Sequence, residues 1–166
     1  YRGEEAEKNL IDYAAFTIAF PQLTMGPILR CREWRGALKE RTITREDVFS
    51  GFELFVVGLC FKVLLADQLA PLWASLERIG YEYLSTPLAW LGAVSYSLQL
   101  YFDFSGYSLM AMGLGQMLAL PVPRNFDLPY TARSVSEFYR RWHITLGTWF
   151  RDYVYIPLGG SRNGNA

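Results

Sequence analysis

From Phe104 to Pro123 the chain runs twenty residues without a charge, and from Pro87 to Phe102 it runs another sixteen, with only Asp103 between them. An uncharged, mostly apolar run of about 18 residues or more is long enough to cross a bilayer as a helix. Two further segments are shorter or interrupted. Residues 54–66 carry Lys62, whose stem can extend toward an interface, so the segment from Val48 to Trp73 is also long enough to span. Residues 13–29 are uncharged but hold Pro21 and Pro27, which remove backbone donors, and they read as a kinked or re-entrant element.

The mean hydropathy, +0.08, would equally suit a soluble helical core with one unusually long buried helix. Loop charges separate the two readings. The formal net charge is zero, yet residues 51–120 hold two basic and five acidic groups, while residues 121–166 hold six Arg against three acids. Between the first and second apolar segments lie Arg30, Arg32, Arg35, Lys39, Arg41 and Arg45, whereas residues 74–86 offer only Arg78. Basic, poor and basic connections in turn are the mark of helices crossing in opposite directions, with the basic loops on the cytoplasmic side.

Composition excludes several classes. Only three of the sixteen cations are Lys and 16% of residues are aromatic, which argues against a nucleic-acid-binding arm, a coiled coil or a disordered tail. One His and two Cys, Cys31 and Cys60, cannot assemble a His/Cys zinc site or a disulfide framework. The charged N-terminus YRGEEAEKNL has no apolar signal region, and the missing Met and abrupt end suggest a piece of a longer protein.

Few residues remain to carry chemistry. On a helix Ser95, Gln99, Asp103 and Tyr107 share one face, so Asp103 either lines the polar wall of an internal tunnel, pairs with an Arg, or caps a broken helix beginning near Gly106. From Ser134 a capping box with Glu137 opens an amphipathic helix that Pro157 and Gly159-Gly160 stop. Phe138, Trp142, Leu146, Trp149 and Tyr153 fall on one face of it, with Arg140, Gly147 and Arg151 opposite and His143 at the edge. The aromatic face suits lipid or protein, and the cationic strip suits a phosphate-bearing or polymeric substrate. His143 is the only side chain titrating near neutrality, hence a candidate for proton handling, although a lone His on such a helix is more often a hydrogen-bonded structural residue. No GxSxG nucleophile motif or P-loop is present.

Three blocks carry a family resemblance: FPQLTMGPILRCREW (Phe20 to Trp34), LQLYFDFSGYSLMAMGLGQML (Leu98 to Leu118) and NFDLPYTARSVSEFYRRWHITLGTWFRDYVYIPLGGSR (Asn125 to Arg162). They resemble the membrane-bound O-acyltransferases, in particular the bacterial AlgI-type alginate O-acetyltransferases, and KVLLADQLAP (Lys62 to Pro71) fits the same branch. The resemblance implies a many-helix enzyme of the bacterial cytoplasmic (inner) membrane. Such an enzyme moves an acyl group from a thioester donor, acetyl-CoA or a carrier-bound acyl group, to hydroxyls of an exported polysaccharide. It implies no bound cofactor or metal and no nucleic-acid partner; the implied partners are membrane lipid, the polysaccharide and other acetylation or export proteins. His143 matches one of the family's two polar positions. The other, taken as the catalytic base, is a His in a Trp-His-Gly context on a following helix beyond Ala166, so this segment alone is expected to be inactive. Asp103, Arg140, Arg141, Trp142, Arg151 and Asp152 are the expected substrate-binding residues. Leu109 stands where AlgI-like members usually carry an acidic residue.

The expected architecture is an all-α, polytopic membrane bundle, the central fragment of this fold. It comprises a broken apolar helix over 1–30, a basic loop over 31–45 and a transmembrane helix over 46–74. A transmembrane helix or helix pair over 86–119, a connector over 120–133, an amphipathic helix over 134–156 and a loop over 157–166 complete it. The alternatives are a noncatalytic truncated membrane scaffold and an acyltransferase acting on a lipid or a cell-wall polymer.

Overall fold

A computed structural model describes residues 9–19 and 23–160, and every regular element among them is helical. Helix α1 (Leu10–Thr17) opens at Asn9, whose side chain accepts a hydrogen bond from the Ile11 amide. The expected kink at Pro21 and the residues after Gly160 lie outside the described residues. Pro27 is fully buried in the irregular segment that leads into α2.

The region expected to be a basic loop folds in large part as helix α2 (Cys31–Glu40). Its charges drew the loop reading, but every third or fourth residue is apolar. Trp34, Ala37 and Leu38 pack against Phe16, Leu29 and Leu120, which gives the helix a core to cover. Phe16 and Trp34 meet edge to face at 6.4 Å.

Thr44 and Asp47 form a capping box at the start of α3 (Arg45–Cys60). The helix continues through a π-helical segment at Phe61–Ala66 into α4 (Asp67–Ile79). The 35 residues from Arg45 to Ile79 are, among the described residues, the one helix long and apolar enough to cross a membrane. At about 1.5 Å per residue they reach roughly 50 Å, more than the hydrocarbon core requires. Only 11% of their most apolar window is buried, whereas the core helix of a soluble protein would be mostly buried. Phe49, Phe52 and Leu64 all point outward.

Helix α5 (Thr86–Met117) is one unbroken element with Pro87 in its first turn, where the missing amide costs no hydrogen bond. It runs straight through Gly106, so Asp103 caps no break there, and it ends before the charge-free run does. Leu118–Pro123 turn away instead, with Ala119 at φ 51°. The pairing of α5 with α3 rests on glycines seven residues apart on each helix. Gly51 faces Gly113 and Gly58 faces Gly106; a Cβ on Gly58 would lie 2.6 Å from the Gly106 carbonyl oxygen, and one on Gly51 2.7 Å from that of Gly113. Backbones this close need residues without side chains.

The expected amphipathic helix over 134–156 is not continuous. Ser134 caps α6 (Val135–Arg141), Trp142 is extended, His143 stands in the left-handed region at φ 47°, and α7 (Ile144–Phe150) then begins and passes into a π-helical segment at Arg151–Tyr155. Neither Pro nor Gly occurs at the break. Its cause is a residue from the preceding connector.

Candidate functional site

Asn125 lies in the connector between α5 and α6 and is completely buried. Its backbone carbonyl accepts the Ile144 amide at 2.9 Å, and its side-chain Oδ1 accepts the Thr145 amide at 3.3 Å. Those are two of the amides that a helix start leaves unpaired. Asn125 therefore caps α7 from outside the helix, and this makes a break at Trp142-His143 possible. Thr145 Oγ1 donates to the same Oδ1 at 2.9 Å while accepting from the Ile28 amide at 3.0 Å. Asn125 Nδ2 donates to Ser108 Oγ on α5 at 3.2 Å. One buried amide thus joins the irregular segment before α2, α5 and α7.

His143 adds a further bond to this hub: its Nδ1 lies 2.9 Å from Asn125 Oδ1. Its ring stands nearly perpendicular to that of Phe104, 4.9 Å between centroids. Burial holds the imidazole below its ordinary pKa, because a charged ring would lose water without gaining an anionic partner. His143 is thus half-buried, biased toward its neutral form and fixed in orientation.

The other expected site residues separate into two groups. Arg140 and Arg151 line one pocket of about 300 Å³ in the elbow between α6 and α7, with Tyr139, Ile144, Gly147 and Thr148. Gly147 leaves room there, since a Cβ on it would meet only the Tyr139 carbonyl oxygen at 3.9 Å. Arg151 is also paired with Asp152, and the remaining polar groups are likewise engaged within the chain. Arg141 bonds Glu137 at 2.6 Å and Thr131 at 2.9 Å. Asp152 pairs with Arg30 at 2.8 Å and Arg151 at 3.0 Å, and the hydrogen bond from Arg151 does most to hold its carboxyl below the usual range. Trp142 stacks on Phe138 and meets Phe126 edge to face, as part of an aromatic wall. Asp103 pairs with Lys62 at 2.6 Å, so its cation is a Lys and not the Arg that one of its three readings named. Tyr107 of the same face accepts a hydrogen bond from Thr24.

Leu109 lines an apolar cavity of about 180 Å³ with Phe61, Tyr101, Ser105, Ser108 and Asn125. Among the described residues no three His, Cys, Asp or Glu side chains gather as a metal-binding set.

The model of the MBOAT, membrane-bound O-acyltransferase, family matches residues 4–166. The chain belongs to this family. It is 48% identical over 163 residues to the probable alginate O-acetylase AlgI of Azotobacter vinelandii, covering 98% of this chain and 32% of that protein. It is 41% identical over 160 residues to a peptidoglycan O-acetyltransferase of Helicobacter pylori, covering 93% of this chain and 30% of the relative. A teichoic acid D-alanyltransferase of Bacillus subtilis is 28% identical over 146 residues, with 85% and 36% covered. The chain thus spans about a third of the length of these curated relatives. The resemblance read from the three sequence blocks is the family shown here.

Within this membrane-bound O-acyltransferase segment, the residue that sequence reasoning missed is Asn125. It lies in the 120–133 stretch, whose Pro121, Pro123 and Pro129 drew a connector reading and nothing more. Its flanks, Arg124 and Phe126, give no sign that the amide is buried, and a buried amide needs its hydrogen bonds met. Which residues meet them is a tertiary fact.

Proposed function

We propose that the full-length protein is a multi-pass O-acyltransferase of the bacterial cytoplasmic membrane. It transfers an acetyl or other acyl group from a thioester donor to hydroxyls of an exported polysaccharide such as alginate. The observation that carries this reading is the match of nearly the whole chain to AlgI-type relatives, centred on a half-buried His143 whose ring is fixed by Asn125. The acceptor oxygen attacks the thioester carbonyl carbon, its proton passes to a base, and the tetrahedral intermediate expels a thiolate that is then protonated. The base is the second family His, on a helix beyond this segment, and His143 acts beside it on the reacting groups.

Arg140 and Arg151 are assigned to the anionic end of the donor. Basic segments mark the cytoplasmic side, where a phosphate-bearing thioester arrives, and two guanidinium groups beside one open pocket suit it. Arg141, Trp142 and Asp152 instead hold the elbow in shape, and Asp103 fixes the α4–α5 side through Lys62. A cell-wall glycan is the second acceptor class, favoured by the 41% identity to the peptidoglycan enzyme.

The test is complementation. Full-length protein expressed in a strain lacking polysaccharide O-acetylation should restore ester groups, and His143→Ala should remove them. Ester on peptidoglycan alone would move the acceptor to the second class, and full acetylation by His143→Ala would end the assigned role of His143.

A further inference from the structure

Asn125 Oδ1 faces two donors, the Thr145 amide and Thr145 Oγ1, and lies 2.9 Å from His143 Nδ1. A backbone amide only donates, so the atom facing it is the amide oxygen and Nδ2 is the atom directed at Ser108. An amide oxygen only accepts. His143 Nδ1 must therefore carry the hydrogen in that 2.9 Å bond, and a neutral imidazole has only one N–H. The lone pair is left on Nε2, which makes no hydrogen bond to a described residue. Neither nearby partner of the ring, Phe104 or Asn125, is charged.

We infer that Asn125 is a positioning residue that locks His143 in the Nδ1–H tautomer, so that Nε2 faces the reaction as a hydrogen-bond acceptor. The inference rests on the reading that His143 acts at the reacting groups, and it chooses between two roles there. An Nε2 lone pair accepts a hydrogen bond from a hydroxyl of the acceptor next to the attacking one and so holds the attacking oxygen toward the thioester carbon, leaving its proton to the base. It has no proton to offer the oxyanion of the tetrahedral intermediate, whose stabilisation falls to other donors. Replacement of the ring by an obligate donor at the Nε2 position is then harmful, and replacement of Asn125 by another acceptor is tolerated.

The geometry sustaining the lock is over-determined. The Ile144 and Thr145 amides fix the backbone beside the Asn125 contact, the Ile28 amide orients the Thr145 hydroxyl, and Phe104 sets the plane of the ring. Rotation of the ring by half a turn would set a carbon against Oδ1 and forfeit the bond.

The experiment uses full-length protein in lipid bilayers, labelled with ¹⁵N-histidine, the His143 signals being assigned by their loss in His143→Gln. At pH 7.5 Nδ1 should show the protonated shift and Nε2 the unprotonated one; the reverse pattern overturns the inference whatever the enzyme's activity. Asn125→Asp is the functional arm, because its carboxylate accepts the same bonds and stabilises the imidazolium. The acid limb of kcat/KM for acetyl transfer should move up by about one pH unit or more, with activity recovered at high pH. An acid limb that stays in place in a normally inserted Asn125→Asp protein overturns the positioning role, since a purely structural Asn would leave the profile unmoved. If His143→Ala keeps full activity while the tautomer is as expected, the functional reading fails and the tautomer assignment stands.

Discussion

Lys62 Nζ lies 2.6 Å from Asp103 Oδ1, joining the long helix over Arg45–Ile79 to α5 at the eighteenth of its 35 residues. The π-helical segment also sets Lys62 against Asp67, five residues on, at 2.8 Å, although residues five apart point some 140° from each other on an α-helix. One cation thus serves two carboxylates. Lys62→Met should destabilise the full-length protein more than Asp103→Asn, because it leaves both carboxylates without their partner. With the side chains 41% and 31% exposed, the loss is about 1–2 kcal/mol rather than the larger cost of breaking a fully buried pair. Thermal unfolding in detergent checks the order, and equal losses would show that Asp67 takes no part.

The glycine contacts predict a sharp positional contrast. Gly58→Ala sets a Cβ against the Gly106 carbonyl and the Met110 backbone, so the α3–α5 pair must separate, at a cost of about 1–3 kcal/mol. Gly36 in α2 faces open space, with nothing within 4 Å of where a Cβ would stand, and Gly36→Ala should stabilise by up to about 1 kcal/mol through helix propensity alone. The same substitution with opposite signs is the outcome to measure by unfolding.

The helices were legible where one apolar pattern sufficed. The charge-free runs pointed to helix over 86–119 without separating one helix from a pair, the helix before it was read across Lys62, and the family followed from the RRWH to GGSR string. What was not legible depended on partners distant in sequence. Nothing near His143 announces a helix break, because the cap is Asn125, and the left-handed His143 follows from that cap. Arg140 and Arg141 look equivalent as neighbours; Glu137, four residues before Arg141 on the same helix, could have been paired with it from spacing, but the bond to Thr131 could not. The α2 helix was hidden by its own charges, and the apolar residues between them gained meaning only once Phe16 and Leu120 stood opposite.

That difference between neighbours makes a kinetic prediction. Arg140→Gln should raise the KM for the thioester donor about tenfold with kcat nearly unchanged, the loss of a charge-assisted contact made equally in ground and transition states. Arg141→Gln should leave donor KM near its original value and lower the unfolding temperature, because it breaks the bonds to Glu137 and Thr131. A raised donor KM in Arg141→Gln and not in Arg140→Gln would reverse the assignment.

His143 also makes stability depend on pH in a definite direction. Its native pKa is lowered from 6.5 by burial, so the unfolded chain binds a proton more readily than the folded one. Well above pH 6.5, the unfolded value, neither state is protonated at this ring and the full stability is present. As pH falls from 6.5 toward the depressed native value the unfolded state gains protons first, and stability drops until both states are protonated, below which this contribution levels off. The prediction is read as a difference between the full-length protein and His143→Gln, which keeps a polar group beside Asn125 but cannot titrate. Their unfolding temperatures should run parallel only well above pH 6.5 and begin to separate as pH nears that value. Below pH 6.5 the protein with His143 should lose more, and parallel curves throughout would mean that the ring is not desolvated in the fold.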